Sequence, residues 1–206
     1  EIKAGMDYFP LLDGKVGKNV RLGIRNAKGK KMEVTVKAIS QGKLNNLLYK
    51  RWVDRNRAFV DSISGGRIAY VHVKAMNSES FRTVYSELLS DKNRNRDAVI
   101  VDERHNGGGW LHDDLCTLLN GKQYQEFVPH GKVVGRDPFN KWVKPSCVMI
   151  CENDYSNGHG FPWVYKELGI GKLIGAPVAG TMTAVWWETL MDNTLVFGIP
   201  QVGSWC

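Results

Sequence analysis

Two short stretches of this chain carry residue types that could do chemistry, and each follows an apolar run. Ser156 stands in Cys151-Glu152-Asn153-Asp154-Tyr155-Ser156-Asn157-Gly158-His159, just past the buried-strand pattern Cys147-Val148-Met149-Ile150-Cys151. A serine beyond a strand end and at the mouth of a helix is where α/β enzymes place a nucleophile. The helix amides there stabilise both its alkoxide and a tetrahedral oxyanion. The competing reading is an N-cap, a task serine hydroxyls do well, and taken alone Ser156 fits that reading better. It does not lie in a G-x-S-x-G elbow. The second stretch is Val101-Asp102-Glu103-Arg104-His105-Asn106-Gly107-Gly108-Gly109-Trp110. Three glycines between a strand and a helix let the backbone approach a ligand with no Cβ in the way. Their amides, with the positive end of the following helix, suit a phosphate or a transient oxyanion. The spacing is neither G-x-G-x-x-G nor a Walker loop, which disfavours a nucleotide. A tight turn alone would also explain the glycines.

The remaining ionisable residues offer less. His159 stands three residues after Ser156, but a general base must bring a ring nitrogen within about 3 Å of the hydroxyl. An i+3 neighbour points along the helix instead, so His159 is read as a capping or packing residue. His72 is mid-strand and reads as core-facing or satisfied. His105 and His112 flank the glycines near Asp113 and Asp114, with a spacing that matches no zinc pattern. No metal and no cofactor is expected. Asp113 and Asp114 read as a solvated helix face rather than a cleft wall. Of Cys116, Cys147, Cys151 and Cys206, the middle pair sit four apart on a strand, about 13 Å from each other, too far for a disulfide. They read as buried thiols.

These residues must be held by elements, and the apolar periodicity supplies them. Strand patterns cover 67–73, 98–101, 147–151 and 172–175, and helical patterns cover 77–89, 110–119 and 160–168. Asn77 or Ser78 caps the first of these helices, and Pro162 is placed in the first turn of the last. Strand–helix–strand repetition implies an α/β architecture with right-handed crossovers. The polar stretch 121–146 reads as a functional loop or lid, and 187–199 as a hairpin turning at Asp192-Asn193. Upstream, 18–39 reads as a hairpin turning at 26–30. It is followed by a helix over 43–57 with Leu44, Leu47, Leu48 and Trp52 on one stripe.

Composition bounds the rest. With 206 residues, 43% hydrophobic and 24% charged, the chain is of ordinary globular composition, and no apolar run nears the ~18 residues of a membrane span. The net charge of +7 resides in residues 14–37. There Lys15, Lys18, Arg21, Arg25, Lys28, Lys30, Lys31 and Lys37 face Glu33 alone. Without interleaved aromatics this reads as a solvated strand face and not a nucleic-acid patch. A start at Glu1 and an end at Ser204-Trp205-Cys206 read as the edges of a piece of a longer polypeptide.

Taken together, the order and spacing of four pieces resemble the tricorn-like and C-terminal processing serine peptidases. The pieces are 65–73 (Gly-Gly-Arg-Ile-Ala-Tyr-Val-His-Val), 99–109 (Val-Ile-Val-Asp-Glu-Arg-His-Asn-Gly-Gly-Gly), 155–158 (Tyr-Ser-Asn-Gly) and 171–181 (Gly-Lys-Leu-Ile-Gly-Ala-Pro-Val-Ala-Gly-Thr). The resemblance implies an α/β core of the ClpP/crotonase type with repeated β-β-α units, preceded by the last strands of a PDZ-like domain. Residues 1–42 would be that PDZ-like part, 43–64 a connecting helix, and 65–206 a catalytic core incomplete at its C-terminal end. It implies amide hydrolysis through an acyl-enzyme. Ser156 is the nucleophile, the N–H of Asn157 is one oxyanion donor, and the N–H of Gly108 or Gly109 is the other. Asp102 and Arg104 match a recurrent loop-holding pair. A tricorn-type base would be a histidine before the PDZ-like domain, oriented by a Ser and a Glu, and the Glu would fall after Cys206. The processing peptidases use a lysine, which would fall near Thr181 and Met182; Lys166 is the nearest lysine offered by the helix after Ser156. So the base is expected from outside these residues. A peptide or unfolded protein is the expected substrate and a homo-oligomer is allowed. The compartment is unassigned, with export favoured if the source is bacterial. Two other readings share the glycine loop: a crotonase-like acyl-CoA enzyme, which needs no serine nucleophile, and a non-catalytic peptide-binding scaffold.

Overall fold

The computed structural model describes residues 2–204; the expected thiol of Cys206 lies outside them. Two compact units divide between Asp54 and Arg55. In the first, a 3-10 turn at Phe9–Leu12 leads to β1 (Asn19–Arg25) and β2 (Lys31–Lys37). These pair antiparallel with Val20 opposite Val36 and Leu22 opposite Val34. Asn26 closes the turn, its Oδ1 accepting the N–H groups of Lys28 and Lys30 at 3.0 Å each. All eight basic residues of 14–37 are exposed, and the Arg21–Glu33 pair at 3.7 Å is a solvated contact of little energetic weight. Helix α1 (Gln41–Ile63) is longer than the periodicity indicates, because no breaker intervenes before Gly65 and Gly66. Both take positive φ, 59° and 77°, the left-handed stop that glycine tolerates. The Leu44, Leu47 and Leu48 stripe is exposed.

The second unit is built on β3 (Ile68–His72), β4 (Ala98–Asp102), β7 (Ser146–Ile150) and β8 (Lys172–Gly175). They form one parallel sheet in the order β3-β4-β7-β8. Between them run α2 (Ser78–Leu88), a turn of helix α3 (Asp91–Arg94), α4 (His112–Leu119) and α5 (Asn157–Glu167), so the α/β architecture is as expected. Strands buried on both faces must read as continuous apolar runs, which is why Val99, Val101 and Val148 are all within 1% of full burial. One core joins these to Val84 and Leu88 of α2, Leu115 and Leu118 of α4, and Phe161 and Tyr165 of α5. Asn77 is the cap of α2, accepting the Ser80 N–H at 2.9 Å.

Three expectations are revised. Helix α5 begins at Asn157, so Pro162 lies inside it and not in its first turn. The N–H that proline lacks would have met the Gly158 carbonyl in the second turn. The stretch 121–146 is not structureless. It holds β5 (Gln125–Phe127) and β6 (Gly135–Asp137) as a short hairpin, with Phe127 stacked on Phe139 at 6.0 Å. Strands of three largely exposed residues leave no period to detect. The last hairpin, β9 (Thr183–Thr189) with β10 (Val196–Gly203), extends beyond 187–199 at both ends. Among the described residues no helix is long and apolar enough to cross a membrane.

Phe161, fully buried between α4, α5 and the sheet, tests the core. Phe161→Ala should lower unfolding free energy by about 3–5 kcal/mol, read from urea melts; a loss under 1 kcal/mol would contradict this packing.

Candidate active site

Ligand sites of parallel sheets lie past the carboxyl ends of the strands, and here adjacent strands β4 and β7 deliver the two loops singled out above. The loops are sewn together. The Asn106 carbonyl accepts the Tyr155 N–H at 2.9 Å, and the Asn106 N–H reaches Asp154 Oδ1 at 3.2 Å. The Asn106 side chain donates to the Val73 carbonyl at 2.9 Å and accepts the Gly108 N–H at 2.8 Å. Asp154 in turn accepts the Cys151 N–H at 2.8 Å. A third contact ties the glycines to the end of β3: Met76 N–H to Gly108 O at 3.0 Å, and Trp110 N–H to Met76 O at 2.7 Å.

Ser156 occupies the N-cap position of α5 but makes no capping hydrogen bond, and its backbone stands at φ 55°, ψ −120°. That region costs a non-glycine residue about 1–3 kcal/mol and gives the sharp strand–turn–helix geometry that presents a nucleophile, without the elbow's sequence signature. The cap reading is therefore excluded. Among the described residues the hydroxyl meets no hydrogen-bond partner, while the Ser156 N–H is steadied by Thr181 Oγ1 at 3.4 Å. So the segment where a lysine would fall does reach Ser156, and it carries threonine.

The glycine loop is shaped by close approach. A Cβ on Gly108 (φ 92°) would lie 2.6 Å from Ser156 Cβ, and one on Gly109 (φ 130°) 2.1 Å from the Met76 carbonyl oxygen. The Gly108 N–H is spent on Asn106. Among the described residues no acceptor meets the N–H of Gly109 or of Asn157. Gly109, Ser156 and Asn157 all line one cleft of about 660 Å³, whose far wall is Met182, Val185 and Trp187. Among the described residues no imidazole, ammonium or carboxylate lies within hydrogen-bonding distance of Ser156 Oγ. His159, half-buried, has its Nδ1 buried without a partner, and Lys166 is exposed at the far end of α5.

Support for the loops is electrostatic. Arg104 grips Asp102 with both arms, Nε to Oδ1 at 2.9 Å and Nη2 to Oδ2 at 2.7 Å, and the Tyr70 hydroxyl adds 2.6 Å to Oδ2. Burial pushes the Asp102 carboxyl up, but those hydrogen bonds outweigh it and hold it below the usual carboxylate range. His72 is buried and donates its Nε2 proton to the Arg104 carbonyl at 3.2 Å; burial lowers its basicity. No set of His, Cys, Asp and Glu among the described residues could hold a metal. Asp113 and Asp114 are exposed. Cys116 and Cys151 are buried free thiols and Cys147 is half-buried; burial pushes Cys116 up to about 12.

Asn106, Asp154 and Thr181 escape a reading for reactive residues, since each works by holding backbone. An Asn directly before a glycine run is the one available signal, because Asn side chains bond backbone N–H groups two residues on. Glu103 escapes too. It is fully buried, neither carboxyl oxygen has a hydrogen-bond partner among the described residues, and burial, then Asp154 and Asp102, push its carboxyl well above the usual range. Burial therefore favours the neutral carboxyl of Glu103 in the fold. Above the ordinary glutamate range the unfolded chain releases this proton while the fold retains it, so the residue costs stability increasingly as pH rises, by about 1.4 kcal/mol per unit of the gap titrated. The melting temperature of Glu103→Gln relative to the natural protein should climb by several degrees between pH 4.5 and pH 8, whatever the offset at low pH. A difference that stays flat across that range would contradict a neutral Glu103.

The model of Peptidase family S41 matches residues 67–202. The tricorn protease of Thermoplasma acidophilum is 25% identical over 206 residues, covering 99% of this chain and 19% of that protein. A tricorn protease homolog of Saccharolobus solfataricus is 28% identical over 181 residues, 86% of this chain and 16% of that one. The crystal structure of the tricorn protease superposes on all of this chain and 20% of its own with a TM-score of 0.83, at 25% identity. The chain thus spans about a fifth of the length of the relatives it matches.

Proposed function

The chain belongs to peptidase family S41, and from that premise we propose that it is the nucleophile-bearing part of a tricorn-like serine endopeptidase. The observation that carries the proposal is Ser156: a strained serine at a helix start whose hydroxyl caps nothing. In the proposed reaction Ser156 Oγ attacks a peptide carbonyl, and the developing oxyanion is met by the N–H groups of Asn157 and Gly109 at the positive end of α5. Gly108 is the less suitable of the two glycines, because its N–H is engaged by Asn106; its role is to let the loop pass against Ser156. Collapse of the tetrahedral adduct expels the amine and leaves an acyl-enzyme that water resolves.

The proton on Ser156 needs an acceptor, and we assign it to a segment of the polypeptide outside residues 1–206, as in the tricorn-type arrangement. In this reading residues 1–42 close a PDZ-like domain, 43–64 connect, and 65–206 form the catalytic core. A peptide or unfolded protein occupies the cleft, and homo-oligomerisation is compatible with the reading. A crotonase-like acyl-CoA enzyme would use the same amide pair, but it has no use for a strained serine beside them; a dead scaffold would have no reason to keep the strain.

In the full-length protein, Ser156→Ala should lower peptide hydrolysis by about 10⁴-fold or more, and residues 1–206 alone should cleave near background. Robust Ser156-dependent hydrolysis by residues 1–206 would contradict the external base. Full activity in the alanine variant, or coenzyme A binding with no hydrolysis, would overturn the peptidase reading itself.

A further inference from the structure

Helix α4 has no cap of its own: Leu111 stands at its N-cap position and contributes no side-chain bond. The cap comes from Asn157 instead. Asn157 Oδ1 accepts the Leu111 N–H at 2.7 Å and the His112 N–H at 3.0 Å, satisfying two of the donors a helix start leaves open. With the oxygen committed to two backbone donors, the other end of the amide must be Nδ2, and it faces His112 Nδ1 at 2.8 Å. An amide nitrogen can only donate, so His112 Nδ1 accepts in this contact. Asn157 is 2% exposed, so water cannot readily replace these partners. Trp110 packs edge-on against the imidazole, ring centroids 5.3 Å apart, which restricts its rotation.

We propose that His112 is a positioning residue for the oxyanion site: by accepting the Asn157 side-chain amide it fixes the Asn157 backbone N–H beside Ser156. The inference rests on the reading of Asn157 as an oxyanion donor. Without that acceptor the Asn157 side chain loses a partner, and the residue whose amide lines the cleft becomes loose. Displacement of such a group by even 1 Å costs about 10²-fold in rate.

The test is the rate at which a fluorophosphonate labels Ser156 in the full-length protein at pH 8. His112→Asn keeps an acceptor near the Nδ1 position; His112→Phe removes the acceptor and keeps the ring. The Asn variant should label within about threefold of the natural protein, and the Phe variant should be about tenfold or more slower. In an Asn157→Ala background, adding His112→Phe should cost little further, since the alanine has already removed the amide that His112 holds; this holds even if each variant is somewhat destabilised. Natural-like labelling by the Phe variant, an Asn variant as slow as the Phe variant, or additive losses in the double variant would overturn the proposal. Absence of labelling in the natural protein would instead reject the nucleophile reading on which it rests.

Discussion

Strands β4 and β7 run side by side, and nothing in a parallel ladder dictates where the chain goes once each strand ends. Asn106 supplies that constraint. Fully buried, it uses its backbone and side chain together to bond the ends of β3, the glycine loop and the loop before α5. Each of those bonds is made where water is excluded, so losing one leaves a buried polar group unpaired at a cost of about 1–3 kcal/mol. That penalty is what makes two loops from different strands behave as one rigid piece. It also sustains what neither loop could hold alone: a serine at positive φ and a glycine backbone pressed against its Cβ.

The acids gathered beneath this piece divide their roles by partner. Asp102 stays ionised because Arg104 and Tyr70 meet it with several hydrogen bonds, and the pair anchors the start of the glycine loop. Glu103, one residue on and just past the end of β4, meets no donor among the described residues, and burial raises its carboxyl well above the usual range. Beyond them, Asp154 and Asn157 each spend a side chain on backbone N–H groups of another segment. The floor of the cleft is consequently built from oriented amides and not from mobile charges, the arrangement that stabilises a transient oxyanion with little reorganisation.

Much of this was legible beforehand. Buried parallel strands announce themselves through runs such as Val99-Ile100-Val101, and Asn77 as a cap through its chemistry. The α/β core follows from such signals, and the proposal for the glycine loop and Ser156 rests on the resemblance of four spaced pieces to a peptidase family. What could not be read is the long-range part. Ser156 looks like a cap in sequence because a cap and a nucleophile can share a position; the dihedrals and the missing bond that argue against a cap are not properties of local sequence. Which glycine offers its N–H depends on Asn106 claiming the other. The partnership of Asn157 with His112 spans 45 residues of chain, and no local spacing encodes it. The short β5–β6 hairpin hid because its strands are too brief and too exposed to carry a period.

The central claim is that the Ser156 hydroxyl, and no other group of this core, is the reacting atom. The most direct measurement is tandem mass spectrometry of the full-length protein after treatment with a fluorophosphonate, locating the adduct by peptide. The account predicts one dominant adduct on Ser156 that disappears in Ser156→Ala. An adduct on a different residue such as Thr181 or Ser204, or a fully active protein that takes none, would contradict it.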